Sequence, residues 1–329
     1  MTKRCNAACD YCYVSDNTSR DLSTDKVIEI IDKLADAGLM HLNLTGGEPF
    51  MREDLTAILD HIIKRNFWKT SIYTNGTLIT DRHIDYIRKN RQYISLVQFS
   101  VYSHIPEVHD AYVGIPGAFE KILDTSRRLR DAGVFVPMAF NILDINHTAI
   151  GDTVRFFKEH GYTIRCGFNK IINSRKSGDR NQNLQRLQQA TSFDFYCDLL
   201  SAVTPEFLEN EKINYRKQLK NTAPEDILLC RGIIYSIYID AEGYLKPCSS
   251  FRNLQVGNIF EKGSLHDIVN RSDELKKLKA LRRADLQPCR TCSHIAMCNI
   301  CIGAVHTETG QLKHPSDQFC AYAKAVEYV

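Results

Sequence analysis

Three cysteines near the start of the chain could bind one metal cluster from a single loop. They are Cys5, Cys9 and Cys12, in the run Arg-Cys-Asn-Ala-Ala-Cys-Asp-Tyr-Cys-Tyr. Iron-sulfur clusters are normally held by four cysteine thiolates, so a triad with no fourth cysteine nearby favours a cluster with one iron open to another ligand. The alternative is a structural zinc site, which needs a fourth cysteine or histidine.

A second motif, Leu-Thr-Gly-Gly-Glu-Pro, follows at positions 44–49. Either motif alone is a weak signal, but the two in this order resemble the radical S-adenosylmethionine superfamily. The resemblance implies that S-adenosylmethionine chelates the open iron and is cleaved by one electron to a 5′-deoxyadenosyl radical. Gly46 and Gly47 would let the backbone approach the methionine ammonium, and Glu48 would supply an anionic acceptor for it.

Composition and charge narrow the functional class. The chain has 329 residues, 43% of them hydrophobic, which suits about two domains with a sizeable core. No apolar run is long enough for a membrane span, and no signal peptide precedes Cys5. Twelve cysteines without a secretory leader predict a cytoplasmic, metal-binding protein. The net charge of +3, without a basic run, predicts neither a nucleic-acid nor a membrane surface.

The first two thirds of the sequence alternates helical and strand patterns. Ser23 can cap a helix that Gly38 ends, and a buried strand follows over 40–44. Further apolar patterns predict helices around 55–62, 84–87, 118–132 and 148–160, and strands over 70–73, 96–100, 134–141 and 162–168. This rhythm predicts parallel pairing with right-handed crossovers.

The resemblance implies a fold for this region. It is an α/β fold, a partial (β/α)6 TIM-like barrel, with ligands at the carboxyl ends of the strands. We expect the barrel to span residues 1–225. Its first strand is expected to be truncated, because only Met1 to Arg4 precede the triad.

Polar residues end several predicted strands and are candidates for cofactor contact. Asn75 is ambiguous, because Asn-Gly is also an ordinary turn signal. In the resembling family a residue at the position of Ser100 often contacts the cofactor ribose or carboxylate, and an aromatic at the position of Tyr11 lies beside the adenine. The predicted cofactor-binding residues are Tyr11, Gly46, Gly47, Glu48, Thr74, Asn75, Ser100 and Asn141.

The C-terminal part of the chain is rich in cysteine. Seven cysteines lie there: Cys230, Cys248, Cys289, Cys292, Cys298, Cys301 and Cys320. The row reads C-x12-G-x4-C, then C-x2-C-x5-C-x2-C, then a last cysteine. It resembles the SPASM auxiliary-cluster domain, in which the last gap of the second group is one residue longer. We therefore predict a small SPASM domain over residues 226–329 with two auxiliary 4Fe-4S clusters.

The resemblance also divides these cysteines between the two clusters. It gives Cys289, Cys292, Cys298 and Cys320 to the distal cluster, and Cys230, Cys248 and Cys301 to the proximal one. The proximal cluster then has an open iron, unless Cys166 or Cys197 completes it, and small buried cysteines are commonly core residues. The alternative for the whole row is a pair of zinc ribbons.

Radical enzymes with SPASM domains mostly modify peptides or proteins. The leading prediction is a maturase that forms a thioether, a carbon-carbon bond or a related crosslink in a peptide, with flavodoxin or ferredoxin as electron donor. The alternatives are an anaerobic sulfatase-maturating enzyme that makes formylglycine, a dehydrogenase of a small alcohol, and a non-catalytic zinc-binding scaffold. Asp110 and Asp240 could act as a base, but an aspartate in a turn is usually a local acceptor, so neither is assigned.

Overall fold

The computed structural model describes residues 1–9, 12, 20–142, 146, 148–171, 192–202, 223, 226–230, 232–251, 253–286, 289–298, 300–313 and 317–329. A five-stranded parallel sheet has the order β1-β2-β3-β4-β5. Its strands are β1 His41–Leu44, β2 Lys69–Thr74, β3 Ile94–Val101, β4 Met138–Ile142 and β5 Ile164–Ile171. A small antiparallel sheet contains β6 Tyr238–Ile239, β7 Tyr244–Lys246 and β8 Gly257–Asn258.

Helices alternate with the parallel strands, as the sequence predicts. Those of the first part are α1 Thr24–Asp36, α2 Leu55–Lys64, α3 Asp81–Lys89, α4 Pro106–Val113, α5 Ala118–Asp131, α6 Ile150–Glu159 and α7 Phe193–Ala202. Those of the C-terminal part are α8 Gly232–Tyr235, α9 Leu265–Arg271, α10 Asp273–Ala280, α11 Ile302–Thr309 and α12 Asp317–Tyr328. Single 3-10 turns cover Pro49–Met51, Arg283–Asp285 and Ile295–Met297.

The predicted signals at the ends of α1 are confirmed. The Ser23 hydroxyl accepts a hydrogen bond from the Lys26 amide, and Gly38 takes a positive φ of 74° just after the helix. That left-handed conformation suits glycine because it has no Cβ. Local sequence therefore determines where the first helix begins and ends.

The two faces of the parallel sheet differ in polarity. One face is apolar and packs against helices, with Ile72, Phe99 and Phe140 buried in the main core. The other face is polar and partly exposed, and includes Asn43, Ser71, Tyr73, Gln98, Ser100, Asn141 and Arg165. On this face the Arg165 guanidinium reaches across the small Ala139 of β4 to Gln98 Oε1 at 3.4 Å. Five parallel strands with one helix-covered face agree with the predicted partial barrel.

Strand β4 and helix α4 differ from the sequence prediction, and β5 runs from Ile164 to Ile171 rather than over 162–168. Strand β4 begins at Met138 rather than at 134, because Pro137 has no amide hydrogen to donate to the sheet. Helix α4 was not predicted, although Pro106 in its first turn and the left-handed Gly114 after its end are ordinary helix signals. The domain boundary at 225/226 lies beside undescribed residues and stays a prediction.

Among the helices that the structure describes, none has both the length and the apolar composition needed to span a bilayer.

Candidate functional site

The cysteine triad lies against the carboxyl ends of the parallel strands. Cys5, Cys9 and Cys12 share a small apolar cluster with Tyr102, which follows β3, and with Tyr112 of α4. The Ala8 amide, inside the loop, donates to the Val113 carbonyl at 2.8 Å. The strand ends and α4 therefore hold the loop that carries the triad.

Burial makes an isolated thiolate at Cys5 unfavourable. The pKa of the Cys5 thiol is raised, mainly by burial and further by the negative charges of Glu48 and Cys12. A bound metal cluster offsets such a cost because it supplies positive charge to several thiolates at once. The donor set and its surroundings thus fit a thiolate-bound cluster.

Glu48, Thr74 and Asn75 form a hydrogen-bonded group beside the triad. The fully buried Glu48 carboxylate accepts from the Thr74 hydroxyl at 2.8 Å, the Asn75 amide at 2.8 Å and the Phe50 amide at 3.1 Å. The Asn75 side-chain amide donates to Asn6 Oδ1 at 2.9 Å and lies 3.9 Å from Cys5 Sγ. The end of β2 is thereby linked to both the Gly-Gly-Glu-Pro motif and the cysteine loop.

Burial raises the pKa of Glu48 to about 7, although its three hydrogen bonds act in the opposite direction. A carboxylate has about four acceptor positions, and the described residues use three of them. Counted over those residues, one position is left for an outside donor such as an ammonium group. Its predicted contact with the methionine ammonium stays a prediction.

The two glycines of the motif allow the chain's own N-terminal segment to approach closely. The Gly47 amide donates to the Thr2 carbonyl at 2.7 Å, and the next amide donates to the Arg4 carbonyl at 2.8 Å. A Cβ on Gly46 would lie 2.3 Å from the Thr2 oxygen, and one on Gly47 would lie 2.0 Å from the Arg4 oxygen. The glycines are needed to position the segment that leads directly into the triad, a role that the sequence did not indicate.

Of the other predicted cofactor contacts, Tyr11 lies outside the described residues. Ser100 and Asn141 are partly exposed on the polar face of the sheet, at the ends of β3 and β4. Asn146, which sequence reasoning missed, is buried, and its amide donates to the Asn141 carbonyl at 2.9 Å and the Tyr102 carbonyl at 3.0 Å. It therefore joins the ends of β3 and β4 beneath these candidates.

A buried arginine closes the base of the triad loop, and it was also missed from the sequence. Arg52 is 5% exposed and forms a two-bond ion pair with Asp54, with Nε to Oδ1 at 2.9 Å and Nη2 to Oδ2 at 2.6 Å. The same guanidinium donates to the carbonyls of Met1 at 3.2 Å and Leu22 at 3.1 Å, on either side of the triad. In the sequence, Arg52 is a single arginine after an apolar turn, a pattern that does not predict a buried ion pair.

The C-terminal cysteines form two groups in space. Cys248 and Cys301 are close enough to Cys230 for their charges to raise the pKa of its thiol, beyond the larger effect of burial. Burial raises the pKa of Cys298 to about 11, and nearby Cys320 and Cys289 add to this effect. Cys292 in turn lies near both Cys289 and Cys320. The structure brings together the same two sets that the resemblance implies, while their binding of metal stays a prediction.

The remaining candidates have local roles. Asp110 accepts from the amides of Gly117 at 2.5 Å and Phe119 at 2.8 Å, at the start of α5. Asp240 accepts from the amides of Glu242 and Tyr244, both at 3.0 Å, within the β6–β7 hairpin. Both act as local acceptors, although Asp110 lies within α4 and only Asp240 lies in a turn. Cys197 is half-buried on α7, and the side chain of Cys166 is outside the description.

Comparison with known families decides the broader assignment. The family model of the Radical SAM superfamily matches residues 1–157, and that of SPASM, an iron-sulfur cluster-binding domain, matches residues 230–293. Residues 1–157 therefore form a radical SAM domain. The radical SAM protein also carries a SPASM domain, so it is an enzyme whose cofactors are a 4Fe-4S cluster, S-adenosylmethionine and auxiliary iron-sulfur clusters. The non-catalytic scaffold is thereby excluded.

Individual proteins resemble this radical SAM chain to different extents. The antilisterial bacteriocin subtilosin biosynthesis protein AlbA of Bacillus subtilis is 28% identical over 79% of this chain. The chain spans only 56% of the length of AlbA. An AdoMet-dependent heme synthase of Nitratidesulfovibrio vulgaris is 22% identical, with 98% of this chain and 90% of the synthase covered. The solved structure of anSMEcpe with bound AdoMet superposes with a TM-score of 0.72 at 16% identity, over 99% of this chain and 94% of the other. That structural likeness supports the fold.

Proposed function

We propose that this radical SAM enzyme is a peptide maturase that forms a crosslink in a ribosomally made peptide. The observation that carries the proposal is the combination of a radical SAM domain and a SPASM domain in one chain similar to AlbA, a bacteriocin biosynthesis protein. The polar face of the barrel sheet, beside the triad, supports it because a peptide needs an open, hydrogen-bonding surface there.

The cofactors supply the reactive species, and the chain positions it. Bound together, the cluster and S-adenosylmethionine supply a 5′-deoxyadenosyl radical by one-electron cleavage. Cys5, Cys9 and Cys12 would hold the cluster, with Arg52 and the close Gly46 and Gly47 contacts fixing the base of their loop. Ser100 and Asn141 would contact the cofactor from the strand ends.

The proposed crosslink balances as a two-electron oxidation of the peptide. A peptide carbon loses one hydrogen atom to the 5′-deoxyadenosyl radical, and the partner thiol or carbon loses one proton as the new bond forms. The SPASM cysteines would hold an auxiliary cluster, which would supply the acceptor for the remaining electron. The product is therefore lighter by two hydrogens. Cleavage of the cofactor takes one electron from a donor, for which we propose a cytoplasmic flavodoxin or ferredoxin.

A second candidate is heme-related chemistry. It is favoured by the length of the match to the heme synthase. The alignment with this chain covers 90% of that synthase but only 56% of AlbA. The sulfatase-maturating alternative and the alcohol dehydrogenase alternative rest on the resemblance alone. The candidates differ in substrate class, so a substrate assay separates them.

The test is an anaerobic assay of the reconstituted chain with S-adenosylmethionine, dithionite and a library of cysteine-containing synthetic peptides. We expect 5′-deoxyadenosine, together with a peptide product about 2 Da lighter that resists thiol alkylation if a thioether forms. The matched control is Cys9→Ala, which should give neither product. Peptides left unchanged while an iron porphyrin or its precursor is converted would overturn the proposal in favour of the second candidate.

A further inference from the structure

We infer that Arg283 is a positioning residue for the distal auxiliary cluster, and that its charge raises the reduction potential of that cluster. The inference deepens the proposed function, since it rests on Cys289, Cys292, Cys298 and Cys320 binding that cluster. It concerns a residue outside the cysteine pattern.

Arg283 connects two separate parts of the distal group. It lies in the 3-10 turn Arg283–Asp285, and the chain continues from there through Leu286, whose carbonyl accepts from the Cys289 amide at 2.8 Å. Its guanidinium Nη2 donates to the Cys298 carbonyl at 2.6 Å, and Nη1 donates to the Ile295 carbonyl. One residue thus fixes the approach to Cys289 and the turn that ends at Cys298.

Arg283 is buried against the backbone of a distal-group cysteine. Its side chain is 7% exposed, so water screens its charge weakly. Its guanidinium binds the carbonyl of Cys298 itself, which places the positive charge beside one of the cysteines that would hold the cluster.

A positive charge beside a cluster stabilises its more negative, reduced state. Charge, hydrogen bonding and burial are the means by which a protein adjusts the reduction potential of an iron-sulfur cluster. Arginine suits this position because its planar fork reaches two carbonyls at once while it stays fully charged. Lysine would retain the charge and lose the fork.

The test uses the full chain in a Cys5→Ala, Cys9→Ala, Cys12→Ala background, so that the auxiliary clusters alone contribute iron. Arg283→Gln and Arg283→Lys are compared by iron counting and by a reductive titration followed by electron paramagnetic resonance. The matched control is Arg282→Gln, because the adjacent guanidinium binds the Ala280 carbonyl at 2.7 Å and the Lys279 carbonyl at 3.5 Å at the end of α10.

We expect Arg283→Gln to lower the potential of one of the two reduction steps, or to lose that cluster outright, while the other step stays in place. Arg283→Lys should keep the iron and a potential nearer the parent value, and Arg282→Gln should match the parent. Full iron with an unchanged potential in Arg283→Gln would overturn the inference. An equal loss of iron or an equal shift of potential in Arg283→Lys and Arg283→Gln would show that the charge of Arg283 does not set the potential. Absence of iron in the parent background would instead contradict the SPASM ligation on which it rests.

Discussion

The N-terminal and C-terminal cysteine regions of this radical SAM enzyme are supported in different ways. The triad is bordered by regular elements, the ends of β2 and β3 and helix α4, and Arg52 closes its base through an ion pair with Asp54. Most of the C-terminal cysteines lie in turns or beside strands of two or three residues, while Cys301 precedes α11 and Cys320 lies within α12. Arg283 binds the Cys298 carbonyl in this region.

This difference predicts different responses to metal. Regular elements and a buried ion pair can order the triad loop before a cluster binds. Apart from α12, the C-terminal part has helices of eight residues or fewer and little sheet, so cluster binding should contribute a large share of its folding free energy. Removal of a cysteine from the first region is therefore expected to abolish cofactor cleavage while the fold is kept. Removal of a cysteine from the second region is expected to lower the stability of the fold.

Removal of a single cysteine from each region is the strongest test of the comparison. Cys9→Ala should reduce 5′-deoxyadenosine formation to the background, with little change in melting temperature, because the fold holds the loop. Cys298→Ala should lower the melting temperature and remove about four iron atoms, yet still allow cofactor cleavage above background. Product analysis and calorimetry on the two reconstituted variants provide the comparison. Similar melting curves for both would contradict it.

Loss of the Arg52 ion pair should destabilise the first region even without metal. Arg52→Gln removes the ion-pair partner of Asp54, which keeps its hydrogen bond from the Thr24 hydroxyl, and frees two carbonyls. The expected cost is about 3 kcal/mol in urea unfolding of the metal-free chain. The exposed Arg88, paired with Asp85 at 3.3 Å, offers a matched control whose change to Gln should cost less than about 0.5 kcal/mol. Equal effects of the two changes would argue against a preformed loop base.

Glu48 should make the stability of the metal-free chain depend on pH. Its folded pKa, about 7, lies above the ordinary value of 4.5, so the folded state holds the proton more tightly. This contribution is fully present below pH 4.5 and is lost as the pH rises through 7, with a total of about 3 kcal/mol. Glu48→Gln should remove the slope in this window, as measured by urea unfolding at several pH values. An unchanged slope would show that another group titrates there.

A methyl group at Gly47 should displace the segment before the triad. Its Cβ would overlap the Arg4 carbonyl, so Gly47→Ala should cost about 2 kcal/mol and reduce cluster loading at the triad. Gly38→Ala provides the control, because it adds backbone strain at φ 74° with no atom within 4 Å, and should cost about 1 kcal/mol without loss of iron. Iron loss in both variants would mean that the effect is not local to the motif.

The sequence predicted most of the residues that would bind the cofactors, but few of the residues that hold those residues in place. The triad, the Gly-Gly-Glu-Pro motif, the parallel strands and the ends of α1 could be predicted because each depends on neighbouring residues or a short period. Arg52, Asn146 and Arg283 could not, because each acts through carbonyl groups that are distant along the chain or in another turn. The full burial of Glu48 was missed for the same reason, since its donors come from the end of β2.

The most direct test of the central claim is anaerobic reconstitution of the unaltered chain with iron and sulfide, followed by iron counting and an assay for 5′-deoxyadenosine. Three four-iron clusters predict about twelve iron atoms per chain, together with reductant-dependent cleavage of S-adenosylmethionine. About four iron atoms with bound zinc would contradict the auxiliary clusters. Full iron loading without 5′-deoxyadenosine would contradict the proposed radical chemistry.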